Sequence, residues 1–329
     1  LKIFSNRFKS SNIKVAGLSR MTNNKDRILI KDGLKSGDVN IVVGTHALLS
    51  NDMSYNNLGL LIIDEEQHFG VGQKEKIKEL QGNIHVLTLT ATPIPRTLQL
   101  SLSGLKNLSL IATPPTNRLA VRTFVLAWDN VVLIDALKRE KVRGGQTFIV
   151  CPRIKDMDNL YDKISNMVPD LTISVAHGQM KVDELDQTIN TFSDGKSDIL
   201  ISPNIIESGI DIPNANTMII YKSDMFGLSQ LYQLRGRVGR SKNRAYAYFT
   251  IEPGKILLKK SQQRLDVIKT LDNLGAGFSL ASYDMDIRGS GNLLGDEQSG
   301  QIKEVGVELY QDMLKEAVSS YKNGDKNVD

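Results

Sequence analysis

Residues 58–71 read LGLLIIDEEQHFGV, so the aliphatic run Leu60–Ile63 passes directly into the acidic pair Asp64-Glu65. Such a short run is typical of a strand buried on both faces of a parallel sheet. Open α/β sheets bind ligands at the carboxyl ends of their strands. Asp64 and Glu65 are therefore predicted to hold Mg²⁺, as in a Walker B motif. Glu65 is also predicted to polarise a water molecule. An acidic turn after a buried strand is the competing interpretation.

Short β-branched runs alternate with helical patterns along the rest of the chain. One helical pattern is residues 183–192, where Leu185, Ile189 and Phe192 share a face. Alternating strands and helices predict a doubly wound α/β fold with parallel sheets. The predicted strands are residues 41–43, 60–63, 85–90, 123–126, 147–150, 173–176, 198–201, 218–221 and 246–250.

Composition excludes several classes of protein. The 329 residues are 40% hydrophobic and 24% charged, which is the balance of a globular chain rather than a disordered one. The aliphatic run Leu60–Ile63 is far shorter than the roughly 18 residues that a membrane span needs. The one cysteine, Cys151, excludes an intrachain disulfide, and with four scattered histidines it predicts no zinc site. The chain begins with Leu and shows no signal-peptide pattern, so we expect a fragment or split product.

A basic segment between residues 235 and 244 carries five cations and two glycines, although the net charge of the chain is only +4. If this segment is helical, Gln233, Arg237 and Arg240 share one face at spacings of four and three. Gly236 and Gly239 would allow close backbone approach there. The pattern predicts a polyphosphate-binding face rather than a solvated surface, with arginines that stabilise transition-state charge.

Four smaller motifs follow predicted strands. Hydroxyls at Thr90 and Thr92 could couple the γ-phosphate state to another lobe, although, taken alone, an ordinary proline-terminated loop is the favoured interpretation. A loop at Gly209 and Asp211 could report nucleotide state to bound nucleic acid. The remaining polar candidates are Thr45, His46, His177 and Gln179, and each taken singly is explained by an ordinary structural role.

The order and spacing of these motifs resemble the superfamily 2 helicases and translocases, and among them the bacterial transcription-repair coupling factors most closely. The branch-migration helicase RecG shares many of the strings. The resemblance covers essentially the whole chain. It is carried by VVGTHALLS (42–50), LGLLIIDEEQHFGV (58–71), LTLTATPIPRTL (87–98), AHGQM (176–180), IIESGIDIPNAN (205–216), QLYQLRGRVGRS (230–241) and IRGSGNLLGDEQSG (287–300).

This resemblance implies two RecA-like lobes, the first one N-terminally truncated, followed by a helical hairpin module that couples lobe closure to movement on double-stranded DNA. The implied cofactors are ATP and Mg²⁺. RNA polymerase and excision-repair proteins would bind through modules outside this chain, in the bacterial cytoplasm. The implied site residues are Asp64, Glu65, Arg237 and Arg240 for catalysis; Gln67, Thr90, Thr92, Gly209, Asp211 and Gln233 for the nucleotide; Thr45, His46, His177 and Gln179 for nucleic acid; and Arg264, Arg288 and Gln298 for coupling.

The predicted domain boundaries follow from composition and from the resemblance. Prolines 114 and 115 end the first lobe, because they cannot continue a helix or a central strand. We assign residues 1–113 to the first lobe, 114–254 to the second, 255–312 to the hairpin module and 313–329 to a helix end and tail. Within the third segment, residues 255–274 are predicted to form one helix that ends at Gly275, with five apolar residues facing inward: Ile256, Leu258, Leu265, Ile268 and Leu271.

The sequence departs from the family pattern at one decisive point. It contains no Gly-x-x-x-x-Gly-Lys-Ser/Thr phosphate loop, and the nearest match, Gly195-Lys196-Ser197, has Asn190 in place of the first glycine. We therefore expect a motor portion whose ATP turnover is weak or absent when it acts alone. Three alternatives stay open: a RecG-like branch-migration helicase, a non-catalytic DNA-binding or assembly module, and an RNA helicase.

Overall fold

A computed structural model describes residues 1–19, 22–65, 69–81, 84–90, 119–203, 214–240 and 243–270, together with isolated positions 107, 109, 111, 212, 280, 283 and 287. The chain divides into two compact units, residues 1–91 and 92–329. The predicted boundary at residues 113 and 114, and most of the predicted hairpin module, lie outside the described residues. That division and that module stay predictions.

The first unit contains two parallel strand pairs with helices between their strands. Strand β1 pairs with β2, and β3 pairs with β4. Asn23 begins α2 by accepting a hydrogen bond from the Asp26 N–H, and Gly37 ends it in the left-handed conformation. The elements are α1 (Lys2–Arg7), β1 (Val15–Leu18), α2 (Asn24–Ser36), β2 (Ile41–Gly44), β3 (Leu60–Asp64), α3 (Val71–Gln81) and β4 (His85–Leu89), with a 3₁₀ turn at His46–Leu49.

Among the residues that the structure describes, the β3–β4 pair is covered on one face only, which corrects the prediction that each strand is buried on both faces. Ile63 of β3 and Ile77 of α3 are buried. Side chains of a strand alternate between its two faces. The opposite face accordingly carries four large apolar residues that are 42–53% exposed, namely Leu60, Ile62, Leu87 and Leu89.

The second unit is built on a six-stranded parallel sheet in the order β5-β10-β9-β6-β8-β7. Helices connect β5 to β6, β6 to β7, β7 to β8 and β9 to β10, as parallel pairing requires. The elements are β5 (Arg122–Ala127), α4 (Asn130–Val142), β6 (Gln146–Val150), α5 (Met157–Met167), β7 (Ile173–Val175), α6 (Val182–Ser193), β8 (Ile199–Ser202), β9 (Ala215–Ile220), α7 (Leu228–Arg235), β10 (Tyr246–Ile251) and α8 (Lys259–Thr270), with 3₁₀ turns at Ile154–Asp156 and Ser223–Met225.

Both faces of this second sheet are covered by apolar side chains. Phe148 of β6 points to a cluster with Phe192 of α6 and with helices α7 and α8. Its neighbour Ile149 points to the other cluster, formed with Leu133 of α4 and Leu160 of α5. The doubly wound α/β class with parallel sheets is therefore confirmed. Residues 183–192 are helical, as predicted, within α6.

The nine predicted strands all occur, with shifted ends, but two local predictions fail. Strand β1 was not predicted, because Val15-Ala16-Gly17-Leu18 contains a small residue and a glycine, both weak strand formers. Helix α8 begins at Lys259 rather than at residue 255, and Ile256 and Leu258 are 94% and 79% exposed instead of facing inward. Pro253 and Gly254, the latter at φ 74°, precede that exposed segment.

At the amino-terminal edge of the second sheet, Asp198 links the start of β8 to Thr172 and to Lys141 of α4. Its carboxylate accepts hydrogen bonds from the N–H and hydroxyl of Thr172, both at 2.9 Å, and pairs with the Lys141 ammonium at 2.5 Å. Burial by itself raises the pKa of Asp198, but the bonds from Lys141 and Thr172 outweigh it and hold the pKa below its ordinary value. The charged form is therefore the one that stabilises the fold.

Asp198→Ala is expected to lower the free energy of unfolding by about 2 kcal/mol at neutral pH, because the bonds from Thr172 and Lys141 to a buried carboxylate are lost. The difference should shrink as the pH falls below the ordinary carboxyl pKa and through the lower native pKa, since protonation removes the same stabilisation from the parent protein. Urea unfolding followed by fluorescence of Trp128, the one tryptophan, measures both effects. Asp194→Ala is the control, because its pair with Lys196 is exposed. Equal losses in both variants would contradict the prediction.

Candidate functional site

The acidic pair lies at the carboxyl end of β3. Asp64 is the last residue of the strand, and Glu65 follows it with φ 53°. A left-handed backbone is uncommon for a non-glycine residue, and it is held here by the Glu65 N–H, which donates to the Leu89 carbonyl of β4 at 2.9 Å. The local fold therefore turns the chain sharply at the second carboxylate.

Strand β4 brings Thr90 to the same place. Asp64 pairs in register with Leu89, so the next residue of β4 lies beside Glu65. The Thr90 hydroxyl donates to Glu65 Oε2 over a long 3.4 Å. Two carboxylates and a hydroxyl fit Mg²⁺, which is commonly held by one or two protein carboxylates plus water and phosphate oxygens. Of the predicted residues, the structure brings together Asp64, Glu65 and Thr90, while Gln67 and Thr92 lie outside the described residues.

Thr45 and His46 follow β2 in the same unit. The Thr45 N–H donates to the Leu18 carbonyl at the end of β1, at 3.3 Å, and His46 begins a 3₁₀ turn. Gly44 makes this arrangement possible, because a Cβ atom there would lie 2.2 Å from the Leu18 carbonyl oxygen. Close contact of β1 and β2 thus sets the position of the Thr45-His46 pair.

The arginine motif is not one continuous helix, which corrects the predicted shared helical face. Helix α7 ends at Arg235, so Gln233 is helical whereas Arg237 and Arg240 lie in the turn that follows. Gly239 has φ 75°, and a Cβ there would approach Ala245 and Val121 to 3.1 Å. A glycine at this position allows the left-handed turn that presents the two arginines.

Arg235 does not belong to an exposed cationic stripe, contrary to the interpretation of residues 235–244 as one basic surface. It is 7% exposed, lies over the Tyr232 ring at 5.0 Å and donates to the Ile268 carbonyl of α8 at 3.1 Å. Sequence could not show this burial, because its partner is 33 positions away in the chain. Arg237 and Arg240 remain as the phosphate-facing candidates.

His177 and Gln179 form a tight turn after β7. The His177 N–H donates to the Met180 sulfur at 3.4 Å, and the Met180 N–H donates to the His177 carbonyl at 3.1 Å. His177 Nδ1 is buried and has no hydrogen-bond partner within the described part of the chain, while Gln179 is exposed. The loop at Gly209 and Asp211 lies outside the described residues, and so do Arg288 and Gln298.

Arg264, the described member of the predicted coupling residues, faces inward from α8. Its Nη2 donates to the Ser261 hydroxyl at 2.8 Å and to the Asp224 carbonyl at 3.3 Å. Its role in coupling stays a prediction, but its contacts attach α8 to the turn that follows β9.

Sequence reasoning missed Lys222, which lies after β9 at the carboxyl edge of the second sheet. It has φ 50° and pairs with Asp156 and Glu252, each at 3.2 Å. Burial would lower the pKa of Lys222, but Glu252 and Asp156 raise it above its ordinary value, so the cation is held firmly. The β6–β9 boundary is the point where strand order reverses, the usual ligand crevice of such sheets. A lysine directly after a buried strand was the available signal.

Neither a membrane-spanning helix nor a three-ligand metal cluster occurs among the described residues. Within them, no helix is both long and apolar enough to cross a bilayer. Nor does the described part of the chain gather three or more His, Cys, Asp or Glu side chains around a possible metal position. The carboxylate pair at β3 does not conflict with this, because a Mg²⁺ site completed by phosphate needs fewer protein ligands.

Two known protein families match separate parts of this chain. The DEAD/DEAH box helicase family matches residues 1–101, and the helicase conserved C-terminal domain matches residues 129–242. Together with the parallel sheets and their helices, these two matches show RecA-like helicase domains. The acidic pair and Thr90 lie in the first RecA-like domain, and the arginine turn lies in the second.

Similar proteins align with nearly the whole chain. The transcription-repair-coupling factor of Rickettsia bellii is 54% identical over 97% of the chain, and that of Bacillus subtilis is 51% identical over 96%. The chain spans only 29% and 27% of these relatives. A solved structure of RecG bound to a three-way DNA junction is 34% identical with a TM-score of 0.70, covering 95% of this chain and 41% of RecG. Yeast Dbp5 bound to RNA and ADP BeF3 shares the RecA-like fold, at 17% identity and a TM-score of 0.60, over 87% of this chain and 77% of Dbp5.

Proposed function

We propose that this chain is the motor portion of an ATP-dependent double-stranded DNA translocase of transcription-coupled repair. The observation that carries the proposal is the 54% identity to a transcription-repair-coupling factor over 97% of the chain. The positions of the site residues support it. The carboxylates and Thr90 end adjacent strands of one RecA-like domain, and a glycine-dependent turn presents two arginines on the other.

The proposed roles follow from the chemistry of each group. Asp64 would hold Mg²⁺ and Glu65 would orient water, while Gln67, Thr90, Thr92, Gly209, Asp211 and Gln233 would contact or sense the nucleotide. When bound, Mg²⁺ neutralises charge on the phosphates. Arg237 and Arg240 would stabilise the charge that develops on the transferred phosphoryl group. Displacement of stalled RNA polymerase, contact with excision-repair proteins and a bacterial cytoplasmic location are further parts of the proposal; of these, only a link between transcription and repair is suggested by the relatives' name.

ATP turnover by this chain alone is proposed to be weak. The sequence contains no phosphate loop, so the backbone cradle and lysine for the β- and γ-phosphates are missing from it. Gly195-Lys196-Ser197 does not substitute for it. Gly195 makes a left-handed turn after α6, and the Ser197 hydroxyl donates to the Ile199 carbonyl at 3.0 Å.

Binding of a fluorescent DNA duplex, measured by anisotropy, tests the proposal. Affinity should fall about 100-fold between about 50 and 200 mM salt if about four phosphates are contacted. His46→Ala should weaken binding several-fold, whereas His85→Ala, an exposed histidine at the amino end of β4, should not. Failure of the parent chain to bind duplex DNA at low salt would contradict the proposed function.

Two further arms separate the alternatives. A three-way DNA junction that competes much better than the duplex would favour branch migration, a possibility raised by the RecG likeness. An RNA duplex that competes better than DNA would favour an RNA helicase. Phosphate release should stay near background with and without DNA, and calorimetry should show weak ATP binding. Robust DNA-stimulated release would contradict the expected need for a phosphate loop.

A further inference from the structure

Helix α8 is attached to the second RecA-like domain at two separate points along its length. Near its start, Arg264 and Ser261 reach the Asp224 carbonyl, at 3.3 and 3.5 Å, in the turn after β9. Near its end, the Ile268 carbonyl accepts a hydrogen bond from Arg235 Nη1 at 3.1 Å. The helix is therefore bonded both to the ligand edge of the sheet and to helix α7.

Apolar packing reinforces the second attachment. Leu231 and Leu234 of α7 lie in one buried cluster with Leu265 and Ile268 of α8. Packed helices of this kind move together, because protein interiors are close-packed and deform little. The contact between α7 and α8 therefore behaves as one rigid joint rather than as a loose surface contact.

Arg235 occupies the centre of this joint. It is the last residue of α7, and the turn that carries Arg237 and Arg240 begins immediately after it. With its side chain buried, stacked over Tyr232 and bonded to a main-chain carbonyl of α8, it is unsuited to contact a phosphate. A buried guanidinium hydrogen-bonded to main chain fixes geometry instead, because losing the bond would leave polar groups buried and unsatisfied.

We propose that Arg235 is a positioning residue that couples the arginine turn, residues 236–240, to helix α8. A displacement of Arg237 and Arg240 towards a triphosphate is transmitted through Arg235 to α8, and through Arg264 to the turn after β9. The purpose of this coupling rests on the proposed function, whereas the contacts between α7 and α8 lie within the second unit alone.

Hydrogen–deuterium exchange of the intact chain, without ligand, tests the joint. In Arg235→Met, which keeps the aliphatic stem, amide exchange in residues 236–240 and 265–270 should accelerate about tenfold, since a hydrogen bond to a charged group is lost. Arg235→Lys, which retains a charged hydrogen-bond donor group, should restore exchange to within about threefold of the parent. Arg139→Met, an exposed arginine paired with Asp135 on α4, is the control and should change nothing in these segments.

The outcomes are distinct. Faster exchange confined to the two segments, with rescue by lysine, supports the proposal. Unchanged exchange overturns it, and so does equal acceleration across β6, β9 and β10, because that would mean general destabilisation. Failure of the parent chain to bind DNA would contradict the proposed function but would leave this exchange pattern interpretable.

Discussion

Gly44→Ala is expected to destabilise the first unit by about 3 kcal/mol and to weaken duplex DNA binding with it. The added Cβ would lie 2.2 Å from the Leu18 carbonyl oxygen, which is main chain and cannot turn away as a side chain could. Strands β1 and β2 would have to separate, and the bond from the Thr45 N–H to Leu18 would break. Because that bond helps to place Thr45 and His46, stability and DNA affinity should fall together.

Amide exchange in residues 15–18 and 41–49, with urea unfolding followed by circular dichroism, measures the change in stability. Gly72→Ala is the matched control. A Cβ at Gly72, in helix α3, would meet nothing within 4 Å, and alanine is the better helix former. If Gly44→Ala unfolds at the same urea concentration as Gly72→Ala, the close approach of the two strands is not rigid.

Glu140→Ala is expected to destabilise the second unit by about 3–5 kcal/mol, the usual cost of breaking a buried ion pair. Glu140 is 2% exposed on α4, and its Oε2 accepts hydrogen bonds from Thr217 of β9 and from Arg143. Arg143 in turn donates to the Arg244 carbonyl at 2.6 Å and lies over the Tyr246 ring at 5.1 Å. Removing the carboxylate leaves a partly buried guanidinium and a buried hydroxyl without their acceptor.

Asp135→Ala supplies the control on the same helix. Asp135 pairs with Arg139 one turn apart, but both side chains are more than half exposed, so the loss should stay below about 0.5 kcal/mol. Urea unfolding followed by Trp128 fluorescence compares the two variants, because Trp128 lies in the buried cluster beside α4. A similar small loss in both would show that the Glu140 network contributes specificity rather than stability.

Strand positions could be predicted because a strand that is buried on both faces is apolar at nearly every position, and such a run is visible in the local sequence. Phe148-Ile149-Val150 of β6 is apolar at every position, since alternate residues enter different cores. The β3–β4 pair shows the limit of that signal. Leu60 and Ile62 are as apolar as the residues of β6, yet they are exposed. The apolar residues of a strand show which side chains could be buried, whereas the elements that pack against the strand determine which of them are buried.

The candidate site was predictable where the chemistry lies at the end of a strand. Asp64, Glu65 and Thr90 follow two strands that the sequence marks clearly, and parallel pairing brings them together. The arginine motif was harder, because spacing suggests a continuous helix although the chain leaves the helix at Arg235 and turns through Gly239. The burial of Arg235 depends on Ile268, and no local pattern records so distant a partner.

Cys151 is fully buried after β6, and burial raises the pKa of its thiol to about 11. At neutral pH it is therefore both shielded and protonated, and maleimide reagents require an accessible thiolate. Because the chain contains no other cysteine, a cysteine introduced on the surface of either RecA-like domain would be the one that takes up a dye. Selective labelling at one site per domain would let the distance between them be followed as nucleotide and DNA are added, without first removing the native thiol.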